Sequence, residues 1–191
     1  MTILTEERKR LVVVGATGMV GGHALRCALD DPAVGTATAI SRRPTGLSHP
    51  KLNEVLHQDF ADCSALAGAL SGEDAAVFCL GAYTGAVADA ELHRITVDYT
   101  IEFARVLSGS SPNATFAFLS AGGADPTGRS RIAYARYKGE AEKSLSAAGF
   151  PHVYIFRPAY IYPVQPRRNP ISAIACCARS IPHFGRCFPT G

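Results

Sequence analysis

Leu11-Val12-Val13-Val14-Gly15-Ala16-Thr17-Gly18-Met19-Val20-Gly21 is the stretch that decides the fold. Four apolar strand formers run straight into glycines spaced three apart, and residues 19–29 behind them carry helix-compatible spacing. Glycine gives the chain a sharp turn, a backbone bare enough for a pyrophosphate to approach, and close packing of helix on strand. The helix N-terminus adds free N–H groups and positive potential. A glycine pattern alone is weak; between a strand and a helix it predicts a dinucleotide site on Gly15, Thr17, Gly18, Met19, Val20 and Gly21.

Further apolar runs recur in regular order at residues 37–40, 54–56, 75–80, 115–119 and 153–156, and read as five more strands. Helical spacing occupies 64–70, 91–107 and 132–147, with Leu92, Ile95, Tyr99, Phe103 and Val106 as the clearest one-sided stripe. Strands that are apolar nearly throughout are buried on both faces, as in a parallel sheet covered by helices. The expected fold class is therefore α/β, a doubly wound parallel sheet of Rossmann type with strand order 3-2-1-4-5-6. Its ligand crevice lies at the carboxyl ends of strands 1 and 4.

At 191 residues the chain suits one domain, with a short C-terminal segment, about 158–191, expected to contribute the substrate side. That segment begins with a proline-rich stretch, 158–170, which contains Pro163, Pro166 and Arg167-Arg168 and reads as a loop. A short apolar segment, 171–178, follows. Hydrophobic residues at 47% and charged residues at 18% exclude a disordered chain. The net charge of +3 is mild, and Arg8-Lys9-Arg10 is offset by Glu6 and Glu7, so no nucleic-acid partner is expected. No apolar run approaches the roughly 20 residues that span a bilayer, and the polar first ten residues show no signal-peptide core. Those readings predict no membrane partner and a cytoplasmic location. The cysteines at 27, 63, 79, 176, 177 and 187 form no CxxC pair and read as reduced thiols. Cys176, Cys177, His183 and Cys187 lack the usual zinc-ligand spacing, so no metal is expected.

About 20 positions beyond the glycine turn, where an acidic residue usually binds the adenosine ribose in NAD-preferring proteins, this chain has Ser41-Arg42-Arg43. A carboxylate would repel a 2′-phosphate, whereas guanidiniums pair with it. The expected cofactor is NADP(H); the competing reading makes Arg42 and Arg43 solvent-facing loop charges. Asp59, with Phe60 beside it, follows the third strand and is placed to meet the adenine amino group. Leu80, Gly81 and Ala82, with Tyr83 after them, end the fourth strand near the cofactor ribose. Helix capping or loop chemistry accounts equally well for both of these groups.

On the helix after the fifth strand, Tyr134 and Lys138 are four residues apart and share one face. An adjacent ammonium favours the phenolate, which would make Tyr134 a usable proton donor or acceptor for a carbonyl or alcohol. Ser120, at the strand end, is placed to hold the reacting oxygen. Tyr137 is the rival, but it adjoins Lys138 and points about 100° away around the helix.

These residues, together with Phe78-Cys79-Leu80-Gly81, Val97-Asp98-Tyr99, residues 119–125, Lys138-Gly139-Glu140 and Phe156-Arg157-Pro158, resemble the short-chain dehydrogenases/reductases of the atypical group. Within that group the chain is most similar to the family of the Tat-interacting tumour-suppressor oxidoreductase of animals and its bacterial relatives. The resemblance implies that Ser120, Tyr134 and Lys138 are the catalytic trio. It further implies that Lys138 reaches the nicotinamide ribose and that Pro158 lies against the nicotinamide. The chain is shorter past the sixth strand than these relatives usually are. The expected function is an NADP(H)-dependent oxidoreductase acting on a small carbonyl or alcohol. The alternative is a non-catalytic NADP(H)-binding redox sensor that signals to a protein partner through the loops around 163–170. A nucleotide-sugar epimerase is disfavoured by the short chain beyond the sixth strand. No residue in loops 83–90 or 160–169 is diagnostic of one substrate, and the sequence leaves open whether the chain pairs with a protein partner or with a second copy of itself.

Overall fold

In the computed structural model, which describes residues 7–162, six strands form one parallel sheet: β1 (Lys9–Val14), β2 (Val34–Ser41), β3 (Leu52–Leu56), β4 (Ala75–Phe78), β5 (Thr115–Leu119) and β6 (His152–Phe156). The strand order is β3-β2-β1-β4-β5-β6, as the sequence pattern predicts, and every neighbouring pair is parallel. Expectations about the 163–170 loop, the apolar segment 171–178 and Cys176, Cys177, His183 and Cys187 fall outside the described residues, as does most of segment 158–191.

Helices cover both faces. Helix α1 (Met19–Asp30) packs on one side, where Val13, Leu25, Leu29, Val34, Ala37 and Ala39 form one buried cluster. The larger core lies opposite, beneath α3 (Tyr99–Ser110) and α4 (Ala133–Ser146), and centres on Phe78, Phe103, Phe116 and Phe118, each 0% exposed. Removing a phenylalanine side chain from water is worth about 1.5–3 kcal/mol, and the Phe78 ring lies 5.4 Å from Phe103 and 6.1 Å from Phe116, distances at which aromatic pairs attract.

Two predicted helices come out differently. Residues 64–70 make only a single 3-10 turn, Ser64–Leu66, because Leu66 and Leu70 are the only apolar side chains there that reach the core. The helix predicted over 91–107 begins earlier, as α2 (Asp89–His93), and passes through a π-helical turn, Arg94–Asp98, before continuing as α3. The extra residue in that turn rotates the buried face, so Thr96, Val97 and Thr100 are buried between Leu92 and Phe103 while Ile95 and Tyr99 are only half-buried.

Strand ends are what position the site. Val14 pairs with Ile40 on one side and Phe78 on the other, so Gly15, Ser41 and Cys79 leave the sheet side by side.

At the opposite, amino-terminal edge sits a buried carboxyl group. Glu73 accepts a bond from Thr38 Oγ1 at 3.3 Å and pairs with Arg10 at 3.5 Å, but its Oε2 has no partner. Burial pushes the Glu73 carboxyl above its ordinary value of 4.5, against the pull of Arg10. A raised folded-state pKa means that the protonated form fits the fold better; its stabilising contribution is complete below pH 4.5 and is lost as pH rises through the folded value. Glu73→Gln should therefore gain on the native chain as pH rises from 4 to 7, in urea unfolding followed at each pH. A stability difference that stays flat with pH would contradict the assignment.

Candidate functional site

The glycine turn is held open by contacts that only bare backbone permits. Gly15 has a φ of +79°, and a Cβ on it would sit 3.0 Å from the Cys79 carbonyl carbon. A Cβ on Gly21 would lie 2.3 Å from the Gly15 carbonyl oxygen, so α1 presses directly against the turn. Gly18 is the N-cap of α1, no side chain caps that helix end, and its first turn carries no acid. The first-turn N–H groups thus face outward, next to exposed Thr17 and half-buried Met19 and Val20, in a setting that suits an anion.

Beside the turn runs a cleft of about 280 Å³, walled by Ala16, Thr17, Gly18, Gly22 and Arg26 on one side and by Arg43, Pro44, Thr45 and Leu47 on the other. Ser41 is buried, and its hydroxyl donates to the Arg43 carbonyl at 2.6 Å, so it shapes the bend that carries Arg43. Glu54 accepts from the Thr45 N–H at 2.7 Å and from its hydroxyl at 2.5 Å, fixing the far wall. Arg42 does not line this cleft; its carbonyl accepts from Gln58 at 2.7 Å. Of the two arginines adjacent in sequence only Arg43 lines the cleft, and Arg26 stands there with it.

Asp59 is exposed, and its Oδ1 accepts the Ala61 N–H at 3.0 Å, a local turn. The Phe60 ring is 1% exposed, packed edge-on to His57 and against Tyr99, and belongs to the core. Leu80 packs partly on the core, while Gly81 is exposed and Ala82 half-buried.

Helix α4 brings the third set of residues to the same edge. Lys138 is 3% exposed; its Nζ donates to the Leu119 carbonyl at 2.7 Å and sits 4.5 Å from the Phe118 ring centre and 5.9 Å from that of Tyr134. Burial pushes the Lys138 ammonium down to about 8, partly opposed by Cys79 and Glu142. Cys79 is itself pushed up to about 11 by burial and feels the Lys138 charge, which links α4 to the strand end beside Gly15. Tyr134 departs from expectation: burial, with Tyr83 nearby, raises its phenol above 10, so the lysine does not set its pKa. Tyr137 donates to Asp89 at 2.7 Å, on a different face of α4 from Lys138.

Ser120 is buried and donates its hydroxyl to Glu142, which the sequence reading did not single out. Glu142 is 3% exposed and also receives Arg157 Nε at 2.9 Å and Nη2 at 2.5 Å. One carboxylate thus ties the end of β5, the middle of α4 and the exit of β6 together. The available sequence signal was its spacing, since Glu142 repeats the Tyr134-to-Lys138 step and lies on the same helical face. Pro158 follows Arg157, and its carbonyl accepts the Gly122 N–H at 2.9 Å.

Gly139 is the tightest point in this region. A Cβ there would lie 2.1 Å from the Asp125 carbonyl, so α4 packs directly on the loop after β5. The Asp125 carboxylate holds that loop through Thr127 N–H at 2.9 Å, its hydroxyl at 2.6 Å and Ser130 N–H at 2.6 Å, bonds that keep its pKa below the usual value.

A glycine turn at the switch point of a 3-2-1-4-5-6 parallel sheet, leading into a helix whose N-terminus carries neither a side-chain cap nor an acid, is the arrangement of an NAD(P)-binding Rossmann domain. The chain belongs to the NAD(P)H-binding family, whose model matches residues 15–171. Among curated proteins it is 31% identical over 169 residues to "Protein fmp52, mitochondrial" of Aspergillus clavatus, covering 85% of this chain and 71% of that protein. The counterpart in Emericella nidulans is 30% identical over 171 residues, covering 86% and 72%. Solved structures with the same fold include the Bordetella bronchiseptica enzyme WbmG in complex with NAD, with a TM-score of 0.64, 18% identity and coverage of 82% of this chain and 55% of that one. Uronate dehydrogenase from Agrobacterium tumefaciens matches at 0.58 and 20% identity, covering 71% and 54%. The chain thus spans little more than half the length of these solved structures. The cytoplasmic location expected from the sequence is overturned by the fungal relatives, which are named as mitochondrial proteins. Among the described residues no helix is long and apolar enough to cross a membrane, and no group of three or more metal-ligating side chains occurs.

Two substitutions test this architecture. Gly139→Ala should destabilise the fold by about 2 kcal/mol, because backbone atoms on both sides must move; urea unfolding would measure it. Glu142→Ala should cost about 2 kcal/mol by leaving the Arg157 guanidinium and the Ser120 hydroxyl without their shared acceptor, with Glu142→Gln intermediate in the same assay.

Proposed function

We propose that this protein is an NADP(H)-dependent oxidoreductase that reduces a small carbonyl compound. The observation that carries the reading is the placement of Tyr134 and Lys138 on one face of α4, at the strand edge that bears the glycine turn. When bound, the nicotinamide cofactor supplies the hydride chemistry. Tyr134, its phenol held neutral by burial, is the proton donor, which is the form that carbonyl reduction consumes. Lys138, buried between the Phe118 and Tyr134 rings, supplies positive charge that would stabilise the phenolate left behind, and its remaining donors would hold the cofactor ribose. Ser120, its hydroxyl committed to Glu142, acts as a positioning residue that orients the end of β5. Pro158, its carbonyl held by the Gly122 N–H, would form the wall on the nicotinamide side.

The coenzyme preference is supported by the cationic cleft next to the turn and by the absence of an acid among its lining residues. A carboxylate in that position would favour NADH instead.

A second reading, a cofactor-binding redox sensor without turnover, is favoured by one observation: Lys138 spends its ammonium on the Leu119 carbonyl, not on the Tyr134 hydroxyl. A panel of small carbonyls followed by NADPH absorbance separates the two. The enzyme reading expects turnover with at least one member, lost by about 100-fold or more in Tyr134→Phe with NADPH affinity kept. Wild-type rates in that variant would remove Tyr134 from the mechanism, and a chain that binds NADPH but turns over none of the panel would favour the sensor. In a fluorescence titration NADPH should bind more tightly than NADH; equal or weaker binding would end the coenzyme assignment.

A further inference from the structure

We propose that Arg26 is a specificity-determining residue for the cofactor: together with Arg43, across the cleft, it grips the adenosine 2′-phosphate. The proposal rests on the NADP(H) reading above and replaces the pair Arg42 and Arg43, adjacent in sequence, with a pair drawn from two different elements.

Arg26 lies two turns into α1, where helix side chains lean back toward the N-terminus. Its Nη1 reaches toward the Gly22 carbonyl at 3.4 Å, a long contact that leaves most of the guanidinium's donors for another acceptor. A Cβ on Gly22 would sit 3.8 Å from Arg26 Nη1, so the guanidinium lies back along the helix over Gly22. Among the described residues Arg26 and Arg43 form no ion pair with a carboxylate. Both line the same cleft, of about 280 Å³, whose remaining walls are Ala16, Thr17, Gly18, Gly22, Pro44, Thr45 and Leu47. Of these nine residues two are cationic and none is anionic, so the cleft is built for a negative group next to the phosphate-binding turn. The nearest fixed acid, Glu54, is already committed to the N–H and hydroxyl of Thr45. A planar guanidinium from each wall matches a tetrahedral phosphate dianion through charge-assisted hydrogen bonds, and the ribose hydroxyl of NADH offers neither arginine such a partner.

Arg26 is exposed, and losing it removes only the long bond to Gly22, so Arg26→Gln should fold like the native chain. The test is a titration of the native protein, Arg26→Gln and Arg43→Gln with NADPH and with NADH. Loss of one charge-assisted contact should raise the NADPH dissociation constant roughly 10-fold to 100-fold in each variant while leaving NADH within about twofold, and Arg26→Lys should recover part of the loss. If Arg43→Gln weakens NADPH selectively and Arg26→Gln does not, the role of Arg26 is overturned and the NADP(H) reading stands. If Arg26→Gln weakens NADPH and NADH equally, Arg26 is not a 2′-phosphate ligand. If the native protein itself fails to prefer NADPH, the NADP(H) reading fails and takes this proposal with it.

Discussion

The structure depends on a contact between two pieces of backbone. Helix α1 meets the end of β1 so closely that Gly21 has no room for a side chain above the Gly15 carbonyl. This contact points the open N-terminus of α1 along the carboxyl edge of the sheet, where β1, β2 and β4 all end at one level. An anion held there is placed, without further adjustment, between the loops that follow those strands. Moving the helix outward by the width of a methyl group would separate the N–H groups from the cleft beside them.

A second backbone contact, Gly139 against the Asp125 carbonyl, does for α4 what Gly21 does for α1. It seats the helix low on the sheet, and the residues on its inner face then sink to different depths. Tyr134 remains half-buried near the crevice, whereas Lys138 and Glu142 are almost wholly removed from water. Burial disfavours charge on Tyr134 and Lys138, and the three side chains are partnered differently. Glu142 takes Arg157 as a counter-ion, Lys138 rests on a carbonyl and an aromatic ring, and Tyr134 stays neutral. The helix therefore presents a proton-bearing phenol next to a buried cation, with a salt-bridged carboxylate beneath them that locks β5 and β6 in place.

The same edge of the sheet also explains the electrostatics of the adenosine side. Ser41 donates its hydroxyl to the Arg43 carbonyl and so shapes the chain after β2, where Arg43 lines the cleft with Arg26.

By itself the sequence determined the order of the elements, the strand order and the anion turn, because apolar runs, helical spacing and the glycines at 15, 18 and 21 are local patterns along the chain. It also placed Tyr134 and Lys138 on one face, since helical geometry fixes that from spacing alone. Only the tertiary structure decided that Phe60 belongs to the core, that residues 64–70 make a single turn, that Glu142 joins Ser120 to Arg157, and that Arg26 and not Arg42 faces Arg43. The reason is physical: burial and long-range pairing depend on which elements come to lie against each other. Residues 22 positions apart, such as Ser120 and Glu142, carry no local mark of meeting. The direction of the Tyr134 shift belongs to the same class, because a neighbouring charge can be read from spacing but loss of water cannot.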